Sequence, residues 1–104
     1  MSAAYVLTKS AAADLREIVR YTYKQWGRDQ ALAYTDRLQR GIEQLAAKSS
    51  SVGKDLSVVF SSLRVLHCEH HYIFCLPRND APALIVAILH ERMDLIARVA
   101  SRLK

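Results

Sequence analysis

An α+β fold is predicted for this chain, because its hydrophobic periodicity changes from helical in the first half to strand-like in the second. Two helical stretches flank Gly27, and short β-type runs separated by polar turns begin at Ser61. Leu84–Leu89 is entirely apolar, which is typical of a buried strand. The predicted element order is β-α-α-β-β-β-α, with a helical hairpin packed on a small antiparallel sheet and a short C-terminal helix.

The first half predicts one strand and two amphipathic helices. Tyr5–Thr8 has the β-branched and aromatic content of a strand, and either Thr8 or Ser10 can cap the helix that follows. The apolar stripe of that helix is Leu15, Ile18, Val19, Thr22 and Trp26. Gly27 ends it. The stripe of the next helix, which reaches about Lys48, is Ala31, Tyr34, Leu38, Ile42 and Leu45. So short a link predicts a helical hairpin.

The second half predicts three strands and a final helix. Residues 49–55 are expected to form a loop, His67–His70 and Pro77–Pro82 to form turns, and His90–Asp94 to form a polar elbow. The strands are Ser61–Leu66, His71–Leu76 and Leu84–Leu89. The last helix carries its apolar residues at Leu95, Ile96, Val99, Ala100 and Leu103. This short helix covers only part of a sheet face, so an exposed apolar groove suited to a protein partner is expected.

Composition limits the classes of protein to consider. The chain has 104 residues, 51% of them hydrophobic, which suits one domain spanning residues 1–104. We expect a cytoplasmic protein without a membrane span or signal peptide. Cys68 and Cys75 are not expected to form a disulfide. The net charge of +5 suits an acidic partner, either nucleic acid or an acidic protein segment.

Neither a metal nor a cofactor is expected. His67, His70 and His71 cluster near one turn, but neighbouring residues of a strand point to opposite faces. The chain has no Cys-x-x-Cys pair and no glycine-rich phosphate loop.

One group of basic and acidic residues could form a catalytic site. If their strands are neighbours, Arg64 could approach His90, Arg92 and Asp94, with Lys54 as a further candidate. Arginines beside a histidine can bind RNA phosphate and transfer a proton, as ribonucleases do. Alternatively, Arg92 and Asp94 pair locally at the start of the last helix, where an acidic residue complements the helix dipole.

The order and spacing of several segments resemble the ParE toxins of plasmid-stabilisation toxin–antitoxin modules, within the RelE/ParE superfamily. The matching segments run along the whole chain. They are Tyr5–Thr8, Ala13–Ile18, Tyr21-Thr22, Trp26-Gly27, Tyr34, Leu38, Gly41–Leu45, Leu63-Arg64, His71–Phe74 and Ile88–Asp94.

This resemblance implies a non-enzymatic toxin that inhibits DNA gyrase and is neutralised by a ParD-like antitoxin, forming a hetero-oligomer. The toxin would contact DNA only indirectly, through the antitoxin or gyrase. The candidate contacts for the target are Arg64, Arg78, His90, Arg92, Arg98 and Arg102. The candidate contacts for the antitoxin are Arg16, Arg20, Tyr34 and Leu38.

Two alternatives stay open. Relatives in the superfamily cleave messenger RNA on the ribosome, and in that case Arg64 would bind phosphate while His90 acts as acid or base. However, no tyrosine follows Tyr72, and Lys54 is the one basic residue left in the loop before Arg64. The other alternative is a non-toxic module that only assists repression by its partner.

Overall fold

The computed structural model describes residues 5–47, 54–55 and 63–103, and within them the elements follow the predicted order with one addition. The helices are α1 (Lys9–Trp26), α2 (Arg28–Ala46) and α3 (Leu95–Arg102). The strands are β1 (Tyr5–Leu7), β2 (Lys54–Asp55), β3 (Arg64–Cys68), β4 (His71–Leu76) and β5 (Ala83–His90). The predicted α+β class is confirmed. The addition is β2, a two-residue strand inside the segment predicted as a loop.

Several predicted boundaries differ from the observed ones, most of all those of β3. The third strand in chain order begins at Arg64 and continues to Cys68, so the turn that follows consists of Glu69 and His70 alone. Ser61, where that strand was expected to begin, lies outside the described residues. So do Lys48, the expected end of the second helix, and loop residues 49–53.

The helix ends have the expected chemistry. The Thr8 hydroxyl caps α1 by accepting a hydrogen bond from the Ala11 N–H at 3.0 Å. Gly27 alone links α1 to α2, with φ 89° and ψ 178°, a backbone conformation that is essentially restricted to glycine. Within residues 5–47, 54–55 and 63–103, no helix has the length and apolarity needed to cross a membrane.

The sheet has the strand order β1-β5-β4-β3-β2. Strands β3, β4 and β5 form the predicted antiparallel meander. In contrast, β1 pairs parallel to β5, with Tyr5 opposite Ala83 and Leu7 opposite Ile85. The expectation of an antiparallel sheet therefore holds for the meander and fails for this edge strand.

Both faces of the sheet are covered, which explains the unbroken apolar run in β5. One apolar cluster joins α1 and α2 to residues such as Ile73, Ile85 and Ile88. A second cluster lies on the other face and includes Val99 of α3. A β-bulge adds one residue, Val86, to β5, because Cys75 pairs with Ile85 while the preceding Phe74 pairs with Ala87.

Candidate functional site

A cleft with a volume of about 750 Å³ opens at the end of the sheet where β5 meets the β3–β4 turn. Its walls come from the second half of α1, the first half of α2, the β3–β4 turn and the elbow after β5. We call it the ring pocket, after the rings and guanidinium groups of Tyr21, Trp26, Tyr34, Arg37, His70, His71, His90 and Arg92 that line it.

Tyr34 connects α2 to the β3–β4 turn at the base of the ring pocket. Its hydroxyl accepts a hydrogen bond from the His70 main-chain N–H at 3.0 Å and lies 2.6 Å from His71 Nδ1. The Tyr34 hydroxyl and His71 Nδ1 share one hydrogen bond, and the tautomer of His71 determines which of the two donates. Burial raises the pKa of Tyr34, which keeps this hydroxyl protonated.

His71 and His90 form the inner imidazole pair. They are direct neighbours across β4 and β5, with ring centroids 5.2 Å apart in an edge-to-face arrangement. Nδ1 of His90 accepts a hydrogen bond from the Arg92 N–H at 3.1 Å. Burial, followed by the nearby imidazole of His90, lowers the pKa of His71 to about 4. Because His90 accepts at Nδ1, its neutral form carries the proton on Nε2.

The other two histidines meet one carboxylate outside this pair. Glu91 accepts from His67 Nε2 at 2.9 Å and lies 3.3 Å from His70 Nδ1. These hydrogen bonds lower the pKa of Glu91. His67 also stacks on Tyr72 with centroids 4.3 Å apart. Across the part of the chain that the structure describes, no group of three or more His, Cys, Asp or Glu residues is placed to hold a metal ion.

The β3–β4 turn carries the one non-glycine residue with positive φ among the described residues. Glu69 has φ 58°, a conformation that costs a side-chain-bearing residue free energy. The Glu69 carboxylate binds Arg37 Nε at 2.9 Å, and the Arg37 guanidinium lies 5.8 Å from the centroid of the Tyr34 ring. These contacts from α2 hold the turn in its strained shape.

The prediction that Arg64 lies near His90 is wrong. Strand β4 lies between their two strands, and Arg64 is opposite Cys75 whereas His90 is opposite His71. Four residues of strand separate these positions, which is about 13 Å along the sheet. The cluster of Arg64 with Arg92 and Asp94 is excluded for the same reason. Asp94 instead caps α3, accepting from the Ala97 N–H at 3.3 Å.

Arg102 performs a structural role that differs from the predicted target contact. Its guanidinium binds both carboxylate oxygens of Asp14 at 2.8 Å and donates to the Val86 carbonyl at 3.0 Å. Asp14 in turn accepts from the Ile88 N–H at 3.0 Å. We call Asp14 and Arg102 the edge clamp, because they satisfy main-chain groups of β5 beyond its pairing with β1. A side chain so engaged is not available to a partner.

The remaining predicted contacts are distributed over several surfaces. Arg98 is exposed on α3, and Arg78 lies in the β4–β5 turn, where its Nε donates to the Pro82 carbonyl at 2.8 Å. Arg16 and Arg20 are exposed on α1. Leu38 must be corrected as an antitoxin contact, because it is fully buried in the core beneath α2.

The ring pocket therefore combines residues that the sequence analysis assigned to different partners. It brings Tyr34 together with His90 and Arg92, while Arg64, Arg78 and Arg98 lie elsewhere. Trp26 and Tyr21 were missed as site residues. Trp26 was placed on the apolar stripe of α1, yet 68% of its surface is exposed. Its position beside the helix-ending Gly27 is the signal that could have indicated a rim residue.

Comparisons with known proteins agree along nearly the whole chain. Residues 5–95 match the family described as "ParE toxin of type II toxin-antitoxin system, parDE". The chain is 56% identical to "Toxin ParE" of Escherichia coli, covering 97% of each chain. It is 35% identical to "Toxin ParE1" of Mycobacterium tuberculosis, covering 91% of this chain and 96% of the relative. A solved structure, "Chromosomal ParDE TA system from P. aeruginosa", shares the fold, with a TM-score of 0.69 at 20% identity over 86% of this chain and 96% of that chain.

Proposed function

Because this chain belongs to the ParE toxin family of type II toxin–antitoxin systems, we propose that it inhibits DNA gyrase without catalysing a reaction. The observation that carries this proposal is the family match over residues 5–95. In this role the toxin docks on gyrase in the cytoplasm and holds it through surface complementarity. A ParD-type antitoxin neutralises it.

The site geometry supports docking over bond-making. The predicted phosphate-binding and acid–base residues, Arg64 and His90, lie on strands separated by β4. In the ring pocket, His71 and His90 already engage their Nδ1 atoms in hydrogen bonds within the protein. What the pocket offers a partner is exposed ring surface and the Arg92 guanidinium. Aromatic and arginine side chains of this kind dominate the energetics of protein interfaces.

The antitoxin contact is proposed on chemical grounds. The chain carries a net charge of +5, and Arg16 and Arg20 lie exposed on α1. An acidic amphipathic segment that orders on binding matches such a surface. Leu38 packs α2 on the sheet from beneath. Replacing Leu38 would therefore weaken antitoxin binding only by destabilising the toxin itself.

A supercoiling assay with purified gyrase tests the proposal directly. Relaxed plasmid is incubated with gyrase, ATP and increasing toxin, and supercoiled product is resolved on a gel. We expect supercoiling to fall to background at saturating toxin and to recover when the toxin is first mixed with an equimolar amount of its antitoxin. Undiminished supercoiling at saturating, folded toxin would show that gyrase is not the target.

A further inference from the structure

Ring faces dominate the lining of the ring pocket. Tyr21, Trp26 and Tyr34 carry aromatic rings, and three imidazoles stand beside them. Tyr21 exposes 64% and Trp26 exposes 68% of its surface, so both are accessible from solvent. Open aromatic faces are the surfaces on which unpaired nucleobases stack, because every base has a flat π face.

The pocket keeps one positive charge without an internal partner. Its two carboxylates are already bound, Glu17 to Arg20 at 3.1 Å and Glu69 to Arg37 at 2.9 Å. Among the described residues, no carboxylate lies within ion-pair distance of the Arg92 guanidinium. The hydrogen bond of Arg92 to His90 uses the main-chain N–H and leaves the side chain available. One free guanidinium suits one phosphate group.

The polar groups of the pocket can form hydrogen bonds with the edge of a nucleobase. The neutral form of His90 retains an Nε2–H donor, since its Nδ1 accepts a hydrogen bond within the protein. Gln30 adds both a donor and an acceptor to the lining. A volume of about 750 Å³ is within the range of small-ligand sites.

We propose that the ring pocket binds one unpaired nucleotide, with its base against Trp26 and Tyr21 and its phosphate on Arg92. A free nucleoside monophosphate and an unpaired nucleotide within a DNA strand present the same chemistry. This assignment differs from the expectation that the toxin meets DNA only through its partners. It does not depend on gyrase inhibition.

Trp26 is the single tryptophan of the chain, so its fluorescence reports directly on the pocket. The full-length toxin is titrated with deoxyadenosine monophosphate, with a short oligodeoxyadenylate, with adenosine and with inorganic phosphate. Saturable quenching by the monophosphate, weaker quenching by adenosine and none by phosphate are expected. Tighter binding of the oligonucleotide identifies a strand as the source, and equal binding identifies the free nucleotide.

The Arg92→Gln variant tests the phosphate contact. Loss of a charge-assisted hydrogen bond should weaken monophosphate binding about tenfold and leave adenosine binding unchanged. Arg40→Gln is the matched control, because Arg40 is exposed on α2, outside the pocket lining. Circular dichroism verifies that both variants are folded. Arg92 is exposed, and glutamine retains the main-chain N–H that bonds His90.

Three results would overturn the proposal. The first is the absence of saturable quenching by either nucleotide ligand. The second is equal weakening by Arg92→Gln and Arg40→Gln, which would indicate general charge attraction. The third is saturable quenching by an antitoxin peptide with none by deoxyadenosine monophosphate, which would make the ring pocket a protein-binding site only.

Discussion

At the scale of single residues, the ring pocket depends on polar groups that satisfy one another. The Tyr34 hydroxyl serves both the His70 N–H and His71 Nδ1, and so ties α2 to the end of the sheet. His71 is half-buried and neutral in this arrangement. Protonating it would place a charge beside His90 in a partly desolvated site, which is costly.

The lowered pKa of His71 should make the free energy of unfolding depend on pH. Its pKa of about 4 lies below the ordinary value of 6.5, so between these values the unfolded chain binds a proton that the folded protein does not. The folded protein therefore keeps its full stability above pH 6.5 and loses part of it as the pH falls from 6.5 to about 4. We expect a loss of about 1–2 kcal/mol, after allowance for solvent screening at this half-buried site.

Urea unfolding at several pH values measures this loss. A His71→Gln variant should show a flatter pH profile across the window, since it removes the titrating group. The control is Arg98→Gln, an exposed change on α3 that removes no group titrating in this window, and it should keep the wild-type slope. An unchanged profile in His71→Gln would assign the pH dependence to other groups.

At the scale of elements, two local devices determine how helices meet the sheet. The edge clamp joins α1 to the end of α3 around the free edge of β5, and its ion pair is mostly buried, with side-chain exposures of 15% for Asp14 and 24% for Arg102. Gly27 joins α1 to α2 in a single residue. Hydrophobic periodicity does not reveal the edge clamp, because Asp14 and Arg102 stand 88 positions apart.

Removing the edge clamp should destabilise the protein. Arg102→Ala leaves the Asp14 carboxylate without its cation and the Val86 carbonyl without its donor, so a loss of about 2–4 kcal/mol is expected. Arg98→Ala, an exposed change on the same helix, should cost less than about 0.5 kcal/mol. Urea denaturation compares the two, and similar small losses would mean that the clamp contributes little.

Replacing Gly27 at the junction of α1 and α2 should destabilise the protein through its backbone conformation. Gly27→Ala meets no atom within 4 Å of the added Cβ, so its cost is purely conformational, about 1–3 kcal/mol. Gly27→Asn should cost a similar amount, because ψ of 178° lies outside the left-handed helical region that asparagine tolerates. Thermal melts of both variants test this, and full rescue by asparagine would contradict the backbone geometry described.

At the scale of the whole molecule, the fold separates basic residues that an RNA-cleaving site would need together. Strand order β5-β4-β3 keeps Arg64 away from His90. The rings of the pocket collect at the opposite end from Arg64, where α1, α2 and the β3–β4 turn converge. This separation supports the proposed mechanism, in which the toxin docks on its target without catalysing a reaction.

Messenger RNA should therefore remain intact in cells arrested by this toxin. Primer extension on translated messages after induction, without antitoxin, is expected to show no new ends at codon positions. An RNA-cleaving relative expressed in the same way provides the positive control. Cleavage that disappears in His90→Ala would show catalysis and overturn the docking mechanism.

The amino-acid sequence by itself determined the elements and the family. Apolar spacing located α1, α2, β4, β5 and α3, because burial of one face imposes a local period that can be read along the chain. Tertiary structure alone decided the parallel pairing of β1 with β5, the separation of Arg64 from His90, and the ring pocket. It also decided the edge clamp, whose two residues stand 88 positions apart. Such contacts depend on strand order and register, which arise when distant segments compete for the same core and leave no periodic signal in the sequence.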